Sequence, residues 1–354
     1  MLLSSGTEGQ QAVEWKQICS IQHEKPIICM ASDVGDRGKP IFYTGNHAIH
    51  RVRGFTADPE LKIAGSSLPI RSIQTSGDRR VAVARGNLVE IWEDSLISKL
   101  VHPEGETVTS VAWAWPIDTL ISACGTEVFV WDTLSGEIVH RVAAPSMVHN
   151  VAISPDFRMF MAHTNKTYYV WSMNDFRPVE QGTVATSASM SCASLGNSRA
   201  LIGCSDGQCF SIPLATSGQG QIRLWGHTKN VRSVHISKDD SRGVSGSWDC
   251  TIRVWCLHTG ETLRELSDAH SAYVTVGRFL GKDDSYVVSA SSDSTLRVFD
   301  LHQADRERIK ALLYKSRERP TTDTNKLPVD VLRRIKQMLF GSVQDDWRLP
   351  TEGF

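Results

Sequence analysis

Seven positions spaced almost evenly along the chain constrain its fold more than any other feature. Val52, Trp92, Trp131, Trp171, Ile212, Trp255 and Phe299 each close a short alternating apolar run, at intervals of 40, 39, 40, 41, 43 and 44 residues. A period of about 40–45 residues is too short for independent domains and marks a stacked repeat. The best-preserved copy, residues 226–266, holds alternating runs at Val231–Ile236, 243–247, 251–255 and, more weakly, Thr262–Leu266. Turn-formers separate them: Lys238-Asp239-Asp240, Trp248-Asp249 and His258-Thr259-Gly260. Period-two alternation broken every few residues predicts four antiparallel strands joined by tight turns. Such a sheet cannot bury both faces alone, so it must stack against its own repeats.

Within this copy, Gly226-His227 is followed by Ser245-Gly246-Ser247-Trp248-Asp249 and then Trp255, with Cys256 after it. In order and spacing these residues resemble the WD40 repeat, whose pattern runs from Gly-His through Ser-Gly-Ser-x-Asp to a third-strand Trp, usually followed by Asp. The resemblance implies a hydrogen-bonded tetrad of His227, Ser245, Asp249 and Trp255 inside the repeat. A buried Asp needs donors and a buried indole N–H needs an acceptor, so the chemistry suits architecture rather than catalysis. The last copy keeps His270, Ser289 and Asp293 and puts Phe299 at the Trp position.

By the same resemblance, the expected fold is all-β, a seven-bladed WD40 β-propeller closed by an N-terminal strand, with a short helical C-terminal tail. The seventh copy stops after three strands, and a lone strand at 13–21 is expected to supply its fourth, which removes an exposed sheet edge. The expected division is a flexible 1–12, a propeller over 13–302 and a helical extension over 303–354.

Composition narrows the function classes. A net charge of −1 gives no global pull toward nucleic acid or anionic membrane. The eight cysteines show no CxxC pair, and the 12 histidines do not cluster, so neither a metal nor any other cofactor is expected. No phosphate-binding loop, metalloprotease or nucleophile-elbow motif is present. No window is long and apolar enough to span a bilayer, and 1–11 lacks the pattern of a signal peptide, so the expected location is cytoplasmic or nuclear. The acidic pairs Asp239-Asp240 and Asp283-Asp284 fall in equivalent hairpins and are expected to cap and solubilise those turns.

What remains is binding to protein partners. Residues beside the tight turns and before the first strands share one face of a propeller; here they are Trp248, Asn230, Tyr273, Ser292 and Ser205. Trp248 stands out, because a large aromatic beside a hairpin turn either packs on a neighbouring loop or binds a partner. In the tail, Leu327, Pro328, Asp330, Val331, Leu332, Ile335 and Leu339 resemble the start of an F-box, and the C-terminal placement is similar to that of a SOCS box. That resemblance implies a second reading, a ubiquitin-ligase substrate receptor whose helix 327–340 docks on an adaptor. The alternative for the same segment is an amphipathic helix that docks on the propeller.

Overall fold

The structure is a computed structural model and describes residues 17–23, 25–34, 40–53, 61–65, 67–103, 105–114, 117–214, 220–281 and 283–301. Among the described residues, 28 strands form seven four-stranded antiparallel sheets. The seven third-strand ends read from the sequence each fall on the third strand of a different sheet. Blades 1 to 6 take their four strands in chain order, and blade 7 joins three C-terminal strands to Gln17–Gln22. That N-terminal strand pairs antiparallel with Thr295–Asp300, Ile21 opposite Leu296, and closes the ring. The first strands of successive blades lie side by side all the way round, blade 7 against blade 1 included.

Burial follows position within the blade. The middle strands Val81–Arg85, Thr119–Cys124 and Arg199–Cys204 are buried almost throughout, because a neighbouring blade covers each face. This is why those segments read as nearly continuous apolar runs. The outer strands Ile138–Ala143 and Pro178–Thr183 mix exposed and half-buried residues, and Leu96–Val101 does likewise apart from the buried Leu100. Buried side chains gather into seven clusters, one at each junction between adjacent blades. Five of the cysteines are buried in these junctions as small apolar groups.

The glycine of the Ser-Gly-Ser motif is explained by this stacking. A Cβ on Gly246 would lie 2.6 Å from Cγ1 of Val274, the first residue of the next blade's inner strand. Any larger residue would push blades 6 and 7 apart.

The acidic pairs do more than cap their turns. Asp239 does cap its own turn, accepting hydrogen bonds from Ser237 Oγ at 2.6 Å and Ser241 N at 3.1 Å. Asp240 instead is buried and reaches the preceding blade, accepting from Asn197 N at 3.1 Å, Ser198 N at 2.6 Å and Ser198 Oγ at 2.8 Å. Asp284 repeats this toward blade 6, accepting from Lys238 N at 2.7 Å, and Asp118 receives Arg80 of blade 2 at 2.9 Å. All three aspartates sit in left-handed backbone, at φ of 58, 53 and 47°. Aspartate tolerates that conformation better than most residues, so the turn geometry and the inter-blade clasp select the same side chain. Asp240→Ala is expected to cost about 3 kcal/mol, from three unpaired donors and the strained φ. Urea unfolding checks this, and a midpoint equal to that of the parent chain would refute the clasp.

Candidate functional site

Blade 6 brings together the four motif residues from four different segments. His227 lies on the connection into the blade, Ser245 on the second strand, Asp249 in the turn after it and Trp255 on the third strand. Trp255 Nε1 donates to Ser245 Oγ at 2.8 Å, and Ser245 Oγ lies 2.7 Å from His227 Nε2. His227 Nδ1 is 2.8 Å from Asp249 Oδ2. A carboxylate can only accept, so the Nδ1 proton of His227 faces Asp249, while Ser245 Oγ accepts from the indole. Asp249 also accepts from Thr228 N, Thr251 N and Thr251 Oγ1 at 3.0, 3.0 and 2.7 Å. Burial works against its charge, but the His227 hydrogen bond and these donors more than offset that and hold the carboxyl well below the usual range.

The order Asp–His–Ser copies the contacts of a hydrolytic triad, and the surroundings decide what it can do. Ser245 and its neighbour Trp255 are both 0% exposed, and the Ser245 oxygen already receives the indole N–H. No carbonyl can reach that oxygen without dismantling the blade. The circuit is a strut.

Blade 7 repeats it: His270 Nδ1 meets Asp293 Oδ2 at 2.9 Å and Nε2 meets Ser289 Oγ at 2.7 Å, with Thr295 Oγ1 donating to Asp293 at 2.6 Å. Phe299 stands where the indole donor would be, so this circuit is one bond shorter. Burial opposes the Asp293 charge, yet Thr295 and His270 bring its carboxyl down to about 2.

Two further versions escaped the sequence reading. In blade 3, Trp131 Nε1 donates to Ser122 Oγ at 2.8 Å and Ser122 meets His102 Nε2 at 2.8 Å, while His102 Nδ1 turns to the Asn87 carbonyl at 3.2 Å in place of an aspartate. Ser122 and Trp131 are nine residues apart where Ser245 and Trp255 are ten, and no Gly precedes His102, so the motif is off register. In blade 5, Thr186 takes the histidine's place and donates to Asp206 Oδ2 at 2.8 Å.

The five residues expected on one face fall at two equivalent backbone positions. The N–H of Trp248 donates to the Asn230 carbonyl, that of Ser292 to Tyr273 and that of Ser205 to Ser189, at 2.9, 3.0 and 2.9 Å. All five therefore lie at the end of the ring that carries the second-to-third-strand turns. Trp248 and Tyr273 are in direct contact, stacked with ring centroids 5.2 Å apart and planes at 17°. Packing on a neighbouring loop is thus part of the answer for Trp248. The pair nonetheless stays 39% and 47% exposed. Trp225, on the connection that carries His227, was not singled out from the sequence; it is 64% exposed, with the Arg223 guanidinium 3.7 Å above its ring. Its one sequence signal is an indole directly before Gly-His, outside any strand.

Among the described residues, no group of three or more His, Cys, Asp or Glu could hold a metal ion, and no helix is long and apolar enough to cross a membrane. The tail positions Leu327, Pro328, Leu332, Ile335 and Leu339, and the helices expected there, lie outside the described residues.

Comparison with known proteins agrees with this geometry. The family model for the WD domain, G-beta repeat, matches residues 221–256 and 260–300, which take in the two blades with the fullest circuits. The chain is 45% identical over 47 residues to small ribosomal subunit protein RACK1 of Drosophila melanogaster, covering 13% of this chain and 15% of that protein. It is 28% identical over 128 residues to serine-threonine kinase receptor-associated protein of Dictyostelium discoideum, covering 36% of this chain and 42% of that one. The matched region thus spans less than half of either relative. Seven four-stranded blades in a closed ring, two of them carrying the matched repeats, make this chain a member of the WD40-repeat β-propeller family.

Proposed function

We propose that this protein is a non-catalytic interaction scaffold, and that it binds a protein partner through the end of the ring where Trp248 and Tyr273 are exposed. The observation that carries this reading is the stacked Trp248–Tyr273 pair. Two large aromatics ordered against each other at the surface offer a rigid apolar platform that loses little entropy on binding. Interface centres are enriched in these residue types, and Trp225 adds a third exposed aromatic at the same end of the ring. The relatives support an assembly role through their names alone, one belonging to a ribosomal subunit and the other associated with a receptor kinase.

The test is quantitative co-purification of tagged full-length chain against the Trp248→Ala/Tyr273→Ala variant. The variant loses one surface stacking contact worth about 1 kcal/mol and should stay folded. A defined set of co-purifying proteins is expected to fall at least tenfold. An unchanged set from a folded variant would refute this face as the binding surface.

A further inference from the structure

A channel of about 600 Å³ runs along the inner strands of the propeller. At the end that carries the strand turns, each blade contributes one residue to a ring around its mouth. The position is set by the backbone. It directly follows the residue whose N–H donates to the preceding blade's turn (Ile27, Ile70, Val108, Val148 and Met190) or which pairs just before the equivalent bulge (Val231 and Val274). The ring is therefore Ile28, Arg71, Thr109, His149, Ser191, Arg232 and Thr275, and all seven line the channel.

Its charge is one-sided. Arg71, His149 and Arg232 stand on blades 2, 4 and 6, so the two arginines face each other across the axis and the histidine sits between them on one side. Thr109 and Thr275 spend their hydroxyls on the following blade, donating to the Val148 and Ile27 carbonyls at 2.9 and 2.8 Å. Arg71 and Arg232 are exposed to the channel and make no hydrogen bond or ion pair among the described residues. Deeper in, Arg278 lines the channel without an acidic partner among the described residues, and burial pushes its guanidinium below the ordinary value. Lys238, near the far end, is different, since the Asp284 carboxylate lies beside it. No Asp or Glu is among the described residues that line the channel.

Three guanidinium groups around one channel, with no Asp or Glu among its described lining residues, leave an unbalanced positive charge that an anion would neutralise, most strongly at the partly buried Arg278. We propose that the channel mouth is a binding site for a small, multiply phosphorylated anion, held between Arg71 and Arg232 with Arg278 below. Guanidinium groups present paired N–H donors that match phosphoryl oxygens. The channel volume lies within the range of small-molecule sites, roughly 300–1,000 Å³. The walls of Ser72, Ser110 and Ser233, whose hydroxyl oxygens accept from backbone N–H groups, offer further O–H donors to such a ligand.

The experiment is calorimetric titration of the full-length chain at fixed ionic strength with myo-inositol hexakisphosphate as probe, alongside citrate and O-phosphoserine. Saturable one-to-one binding of the hexakisphosphate is expected, at least tenfold tighter than citrate and a hundredfold tighter than O-phosphoserine. Arg71→Gln/Arg232→Gln alters two exposed side chains, so its melting temperature should match the parent while its affinity drops at least tenfold. Arg278→Met is expected to raise the melting temperature of the ligand-free chain and still weaken binding. Absent saturation, or equal affinity in the parent and the double variant, would overturn the site. Citrate binding as tightly would overturn the phosphoryl assignment. Equal binding of O-phosphoserine would mean that a single phosphoryl group is read, as on a modified partner chain, and would overturn the free-ligand form of the proposal.

Discussion

Acidification from pH 6.5 to 4.5 is expected to unfold this propeller, because it holds at least three covered histidines in the neutral form. Burial pushes His102 and His163 down to about 4 and His235 down to about 3, Arg278 and Lys238 adding to the last. Each folded value lies below the unfolded one of about 6.5, so below that pH the unfolded chain binds more protons. The stability these residues allow is complete above pH 6.5 and is lost as the pH falls toward 4. Near pH 5 unfolding takes up about three protons from this source, a slope of roughly 4 kcal/mol per pH unit. Accumulated to pH 4.5, the loss is roughly 7 kcal/mol, comparable with the whole stability of a typical domain, about 5–15 kcal/mol. The tetrad carboxylates contribute only further down. Asp249 and Asp293 are depressed below the ordinary carboxylate range, so their contribution is present above about pH 4 and fades below it. Urea midpoints followed by tryptophan fluorescence at pH 7.5, 6.5 and 5.5 check the slope. His163→Leu should reduce it by about a third, since His163 Nε2 is buried without a partner and charging it strands a proton there. A midpoint constant from pH 7.5 to 5.5 would refute the account.

The second large effect belongs to Trp255. It is fully buried at the junction of blades 5 and 6, among Leu201, Leu224 and Leu257. Trp255→Ala opens a cavity there at about 3–5 kcal/mol and also takes away the donor to Ser245, worth about 1 kcal/mol more. Trp255→Phe keeps most of the volume and removes only the N–H, the arrangement that blade 7 already has with Phe299; its cost should be about 1–2 kcal/mol. Unfolding curves of the two variants separate packing from hydrogen bonding at this site. Equal losses would show that the indole N–H, not the ring volume, holds the junction.

These side chains also show what could be read before the structure. The seven third-strand ends were legible because a large apolar residue must close each third strand at a fixed depth, whatever the rest of the blade does. The closing strand was legible because a seventh repeat with three strands leaves an edge that something must cover. The blade 6 tetrad was visible as a local motif. The blade 3 circuit of His102, Ser122 and Trp131 was hidden because a turn one residue shorter shifts the spacing and a backbone carbonyl replaces the aspartate. The clasps of Asp240 and Asp284 were hidden for a different reason. Their partners lie 42 to 46 residues away on another blade, so the sequence marks only a turn where the fold makes a junction. The ring of Arg71, His149 and Arg232 needs all seven blades in register before it exists at all.

The proposed division of labour has buried hydrogen-bonded circuits hold the blades and the exposed aromatic end recognise a partner. The most direct measurement pairs melting temperature with partner capture for two single tryptophan variants of the full chain. Trp255→Phe is expected to melt about 2–5 °C lower and to capture partners as the parent does while folded. Trp248→Ala is expected to melt within about 2–4 °C of the parent and to lose capture at least tenfold. Capture lost from folded Trp255→Phe and kept by Trp248→Ala would contradict the account.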